Sequence, residues 1–236
     1  MEFKSQKKKM LPLILLLDVS SSMRDRIDEL NRASREMIEE LANQESLKAE
    51  IHICIITFGG SAKLHQPLVP VTQVKLEDFQ ANGFTPLGGA LKIAKEIVED
   101  RNQITSDSYR PMVVVMSDGI PNDSWEESFR SFIEDGRSKK CERLALGIGK
   151  GYDAEMLKKF SSDGKLYEAK AAKELGDFFN FVTMTVKEKS MSSNPSKTLE
   201  NNILESLLIK SEQSTGKKLV EDGLSKDEIE ELAKLL

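Results

Sequence analysis

Cysteine is scarce in this chain of 236 residues: there are two, Cys54 and Cys141. They match no C-x-x-C pair and no disulfide-framework spacing, and both sit in or beside apolar segments, as packed reduced thiols do. That usage suits a reducing, cytoplasmic compartment. Histidine is as rare. His52 and His65 lack zinc-ligand spacing, and His52 lies inside the strand-like run Ile51-His52-Ile53-Cys54-Ile55-Ile56, where a structural histidine is expected. No apolar run approaches the ~20 residues of a membrane helix, so no membrane span is expected. The formal charge of -5 lacks the basic excess of a duplex-binding protein, so no nucleic-acid partner is expected. A P-loop is missing too. Gly147-x-Gly149-x-Gly151 follows an apolar run but lacks the G-x-G-x-x-G spacing of a dinucleotide fingerprint.

What remains describes an ordinary globule, 39% hydrophobic and 31% charged, long enough for one domain and an appendage. The start imitates a signal peptide, with Lys7-Lys8-Lys9 before Met10-Leu11-Pro12-Leu13-Ile14-Leu15-Leu16-Leu17. No small-residue cleavage site follows, and the run stops on Asp18. It reads instead as a strand buried on both sheet faces.

Similar apolar runs recur at Ile51–Phe58, Met112–Met116 and Leu144–Ile148, with weaker strands at Leu64–Val69 and Lys165–Ala169. Pro67 and Pro70 place the first of these weaker strands at an edge or a bend. Amphipathic segments lie between them: Ile27–Leu41, Pro86–Asp100, Trp125–Ser138, Ala154–Phe160 and Ala172–Lys187. In the first, Ile27, Leu30, Ala33, Met37 and Leu41 recur at three- and four-residue steps and form one stripe. The alternation predicts an α/β fold: a doubly wound, mostly parallel sheet with helices on both faces. Such sheets take ligands at the carboxyl ends of their strands, near the point where strand order reverses. This domain is expected over residues 8–190. Small polar residues around Ser190–Ser196 mark a linker, and residues 191–236 read as that linker and a helical tail with six lysines against nine acids. Leu199, Ile203 and Leu207 stripe one tail helix, and Ile229, Leu232 and Leu236 the other.

Three polar groups stand at separate strand ends. Asp18-Val19-Ser20-Ser21-Ser22 follows the first strand, and its carboxylate and alternate hydroxyls can face one point if the chain curls. These are hard oxygen donors, suited to Mg²⁺ or Mn²⁺ rather than zinc. Taken alone, the same residues make a strand end and a helix cap. Thr85-Pro86-Leu87-Gly88-Gly89 opens a helix, with Thr85 as N-cap, Pro86 in the first turn and the glycines allowing close approach to the sheet. The Thr85 hydroxyl also lies beside the strand ends. Asp118 ends Met112–Ser117 and precedes a glycine turn, and Ser124 with Glu127 reads as a capping box.

Together, Asp18-x-Ser20-x-Ser22, Thr85 and Asp118 resemble the metal-ion-dependent adhesion site of von Willebrand A domains. Leu15–Met23, Ile55–Phe58, Tyr109–Trp125 and Ala145–Gly149 are similar to bacterial TerY-type proteins, A domains associated with tellurium resistance, stress and phage defence. The resemblance covers about residues 8–190. It implies that Ser20, Ser22 and Thr85 coordinate one Mg²⁺ or Mn²⁺ through hydroxyls, and that Asp18 and Asp118 bind it directly or through water. It also implies an acidic side chain from a protein partner in the open position, and kinases, phosphatases or tellurium-resistance proteins as neighbours.

The reading is therefore a cation-dependent binding module, not an enzyme. A phosphohydrolase of haloacid dehalogenase type would need an acid where Ser20 stands, so its proton-transfer group is missing. A further alternative is a structural module whose cation only ties loops together.

Overall fold

The computed structural model describes residues 8–44 and 47–191. β1 (Lys9–Asp18) is the central strand: from Leu11 to Asp18 every residue is buried. Each of its leucines withdrawn from water contributes ~1.5–3 kcal/mol, which keeps it there. Its parallel neighbours are β2 (Ala49–Gly59) on one side and β4 (Met112–Ser117) on the other. β5 (Glu142–Ile148) and β6 (Tyr167–Ala169) continue the parallel run, while β3 (Ser61–Pro70) closes the far edge antiparallel to β2. The order is β3-β2-β1-β4-β5-β6, so strand order reverses between β1 and β4. The edge place of β3 agrees with its two prolines, since an edge strand tolerates a missing N–H.

Among the described residues, five α-helices flank the sheet. On one face α2 (Leu87–Glu99), α3 (Trp125–Glu134) and α4 (Ala154–Phe160) pack Leu91, Ala94, Phe132 and Phe160 with Ile14, Leu16, Ile56 and Val115. Strand alternation turns Leu13, Leu15 and Leu17 to the other face. There α1 (Ile27–Ala42) and α5 (Ala172–Met191) pack on each other, burying Leu30, Ala33 and Met37 together with Phe179, Val182 and Val186. This is the doubly wound α/β fold expected. Among the described residues, no helix is long and apolar enough to cross a membrane.

Several element boundaries differ, among them β3, which starts at Ser61 rather than Leu64. β6 starts at Tyr167 rather than Lys165. α3 ends at Glu134, short of Ser138, because Gly136 adopts φ +64° and the Glu99 carboxylate accepts from the N–H groups of Arg137 and Ser138. α5 runs past Lys187 to Met191, held by a hydrogen bond from Ala49 N–H to the buried Ser190 Oγ. Met191, expected to open the linker, is thus helical. The two tail helices lie outside the described residues. Cys54 and Cys141 are free and buried. His52 pairs with the Glu50 carboxylate at 2.8 Å, the structural role expected of it.

Candidate functional site

In the parallel ladder Leu17 pairs with Met116, so the next residues, Asp18 and Ser117, leave the sheet side by side. Ser117 Oγ donates to Asp18 Oδ2 at 2.6 Å, and Ser20 N–H donates to Oδ1 at 2.9 Å. Asp18 is 1% exposed. Burial pushes its pKa up to about 6, the two serines pull the other way, and the charge of Asp118 adds a small push upward.

Beyond Asp18 the chain curls, as the alternate serines require. A 3-10 turn, Ser21–Arg26, is pinned by the fully buried Met23. Ser22 Oγ donates to Asp118 Oδ1 at 2.7 Å and lies 3.0 Å from Ser20 Oγ. A hydroxyl has one proton, so Ser20 must be the donor in the second contact. The result is a directed chain, Ser20 to Ser22 to Asp118. Arg26 places Nη1 3.7 Å from Asp118 Oδ2. Burial raises the pKa of Asp118 as well, opposed by the Ser22 hydrogen bond and by Arg26.

Thr85 arrives by a longer route. β3 delivers the chain to the amino edge, and the segment after it climbs back. The buried Asn31 side chain clamps that segment, donating to the Phe79 carbonyl at 3.0 Å and accepting from Phe79 N–H at 2.7 Å. At the top, Ser21 N–H donates to the Gly83 carbonyl and Gly60 N–H to the Phe84 carbonyl. This crossing needs glycine: a Cβ on Gly83, whose φ is +66°, would lie 2.3 Å from Gly60 Cα. Thr85 N–H donates to Asn122 Oδ1, and Asn122 N–H returns a bond to the Thr85 carbonyl, both at 3.2 Å. The Thr85 hydroxyl faces the backbone just after Asp118, 3.3 Å from where a Cβ on Gly119 would stand. All five residues singled out in the sequence therefore meet at the carboxyl edge, where strand order reverses.

The family model of the von Willebrand factor type A domain matches residues 13–181. The chain belongs to this family. Among solved structures, this A domain resembles proximal thread matrix protein 1 from the mussel byssus (TM-score 0.58, 18% identity, covering 75% of this chain and 48% of that one). A structure of the same mussel protein with a zinc-occupied MIDAS motif also matches (TM-score 0.57, 16% identity, 75% and 48%). So does a von Willebrand factor type A protein from Catenulispora acidiphila (TM-score 0.57, 15% identity, 76% and 43%). The chain thus spans about half the length of the mussel protein, and identities this low speak for the fold alone. A comparison with curated proteins gives no match.

Two expectations fail around the site of this A domain. Thr85 is not an N-cap: α2 begins at Leu87, Pro86 takes the cap position, and no side chain there caps it. The cap comes from Asp123, whose carboxylate accepts from Gly88 N–H at 3.1 Å and Gly89 N–H at 2.9 Å. Asp123 can come so near because Gly88 has no Cβ; one would lie 2.7 Å from Trp125 Cα. The Thr85 hydroxyl is thereby left for the site. The Ser124–Glu127 capping box is also not formed, since Ser124 makes no side-chain cap and Trp125 N–H bonds to the Asp123 carbonyl instead.

Sequence reasoning missed four residues of the A-domain site: Ser117, Arg26, Asn122 and Asp123. Ser117 had a signal, a hydroxyl directly before a strand-end carboxylate. The other three act through contacts 34 or more positions apart and left no local pattern. Among the described residues, no three or more of histidine, cysteine, aspartate and glutamate cluster as a metal site. The donors here are two carboxylates and three hydroxyls.

Proposed function

We propose that this A domain is a divalent-cation-dependent protein-binding module, with Asp18, Ser20, Ser22, Thr85 and Asp118 holding one Mg²⁺ or Mn²⁺. The observation that carries the reading is the convergence of five oxygen donors, two of them carboxylates with raised proton affinity, at the ligand edge of the sheet. Such carboxylates are short of positive charge, and hard oxygen donors suit hard cations. The zinc reported in the mussel protein supports a divalent ion in a site of this kind and makes zinc a necessary competitor in any test.

When bound, the cation supplies a Lewis-acidic coordination position. The chain does the rest. Ser117 and the Ser20 amide aim both oxygens of Asp18, the Ser20–Ser22 chain orients Asp118, and the Asn122 bridge sets Thr85 beside them. Two carboxylates just balance a divalent charge, which leaves the centre electrophilic toward an acidic side chain from a protein partner. Nothing in the set is a general acid for phosphoryl chemistry, because Ser20 stands where a phosphohydrolase needs one. From the TerY-type resemblance, the module serves as an adaptor in a bacterial stress, tellurium-resistance or phage-defence system. Kinases, phosphatases or tellurium-resistance proteins are its partner classes.

Calorimetry with Mg²⁺, Mn²⁺ and Zn²⁺ tests the cation site. One ion per chain is expected, lost in Ser22→Ala and Asp118→Ala while circular dichroism remains that of the folded domain. Undiminished binding in both variants defeats the reading. Turnover of p-nitrophenyl phosphate that vanishes in Asp18→Ala would establish a hydrolase instead.

A further inference from the structure

Five large apolar side chains are exposed among the described residues: Leu64, Phe84, Ile120, Met184 and Met191. Two of them flank the candidate site. Phe84, 75% exposed, directly precedes Thr85, and Ile120, 65% exposed, is two residues past Asp118. The loops that carry them are joined at the site itself by the paired bonds between Thr85 and Asn122. The backbone bond from Gly60 N–H to the Phe84 carbonyl fixes the first loop further. Leaving a phenylalanine and an isoleucine in water on well-bonded backbone forgoes the burial that each could gain elsewhere. Exposed apolar groups held beside a polar centre are the composition of an interface hot spot.

The third member of this rim is cationic. Arg26 lies 3.7 Å from Asp118 and remains 27% exposed on its side chain. Its other terminal nitrogen lies 3.1 Å from where a Cβ on Gly149 would stand, so the glycine makes room for the guanidinium. With a divalent cation balancing Asp18 and Asp118, and Asp123 taken up by the Gly88 and Gly89 amides, Arg26 is the cation left over at the mouth.

We infer that Phe84, Ile120 and Arg26 set the specificity of the site, selecting a protein segment whose carboxylate is flanked by bulky apolar side chains. The carboxylate meets the metal and Arg26, and the flanking side chains cover Phe84 and Ile120. This rests on the cation-dependent reading above and names the chemistry of its partner. Arg26 has a double role with opposite signs: it weakens cation binding by repulsion at Asp118 and strengthens the hold on an incoming carboxylate.

The probes are four synthetic peptides, Gly-Leu-Asp-Leu-Gly, Gly-Gly-Asp-Gly-Gly, Gly-Leu-Asn-Leu-Gly and Gly-Phe-Asp-Leu-Gly, titrated into the full chain at saturating Mn²⁺. The acid peptides with apolar neighbours are expected to bind at least about tenfold tighter than the glycine-flanked one, given ordinary burial energies. Phe84→Ser and Ile120→Ser should each reduce that preference while leaving Mn²⁺ affinity and Tm unchanged. Arg26→Gln should tighten Mn²⁺ binding a few-fold and weaken every acid peptide, a split of sign that a merely structural role does not give. Equal affinity for glycine- and leucine-flanked acids overturns the rim and leaves the cation site standing. Equal affinity for the asparagine and aspartate peptides overturns the carboxylate preference and the reading beneath it.

Discussion

The two ends of the sheet handle buried charge in opposite ways. At the amino edge, carboxylates are neutralised from within the chain. Glu142 forms a largely buried ion pair with Lys189, and Glu99 takes two N–H bonds from Arg137 and Ser138 with Lys95 3.6 Å away. Lys95 itself donates to the Ser131 carbonyl and Ser138 Oγ, tying α2 to the end of α3. At the carboxyl edge, Asp18 receives only hydroxyl and amide donors, and Asp118 has one guanidinium at 3.7 Å. One end is closed and holds the fold together. The other carries buried negative charge that the fold does not need, and such charge is retained at a cost in stability.

The same kind of substitution therefore has opposite effects at the two ends. Lys189→Ala leaves the largely buried Glu142 without its partner and should lower the unfolding free energy by ~3 kcal/mol, read from urea denaturation, with cation affinity unchanged. This is the low end for such pairs, because burial also pulls the Lys189 pKa down to about 7. Asp18→Asn should do the reverse. In chelator at pH 7 it should gain about 2–3 kcal/mol, since a shift from 3.8 to about 6 disfavours the charged form by ~1.4 kcal/mol per pH unit. The amide can still accept from Ser20 N–H and donate to Ser117. The sign in pH follows from the raised folded value: the protonated carboxyl favours the folded state, so this contribution is full below pH 3.8 and lost as pH rises through 6. The gap between Asp18→Asn and wild type should therefore close below about pH 4, checked by Tm at matched pH. Cation binding should be gone in the variant.

Smaller effects sharpen the comparison at the carboxyl edge. Gly83→Ala should cost about 2 kcal/mol, combining positive-φ strain with the clash at Gly60, and should weaken cation binding through Thr85. Gly164→Ala has the same strain, φ +70°, but nothing within 4 Å of the new Cβ, and should cost only about 1 kcal/mol. The difference, measured by Tm, isolates the loop crossing. Ser117→Ala should reduce cation affinity about tenfold in calorimetry with the fold intact, as removal of an outer ligand-orienting bond does.

What could be read in the sequence was whatever one stretch of chain decides. β1, β2, β4 and β5 are dominated by apolar runs, and α1 shows its stripe at helical spacing, so element type and the buried sheet were legible. Position at a strand end was legible for Asp18 and Asp118, and the resemblance to von Willebrand A domains joined Ser20, Ser22 and Thr85 to them. Contacts between distant segments were not. The Asn31 clamp on Phe79, the Arg26–Asp118 pair and the Asp123 cap span 48, 92 and 34–35 positions, and none leaves a spacing to find. The cap on α2 shows the limit well: Thr85-Pro86 has the local form of a helix start, yet the carboxylate that satisfies the helix comes from the next loop.

That carboxylate decides what else this edge can hold. Doubly wound sheets commonly receive phosphates on the bare amides at a helix start, where unsatisfied N–H groups and the helix dipole attract an oxyanion. Here the amides of Gly88 and Gly89 face Asp123, so the chain carries its own anion at this helix start. An entering phosphate would find those donors taken and a like charge in the way. Asp123 thus works as a plug: it closes this helix start to phosphate and leaves the neighbouring oxygen cluster to positive ions.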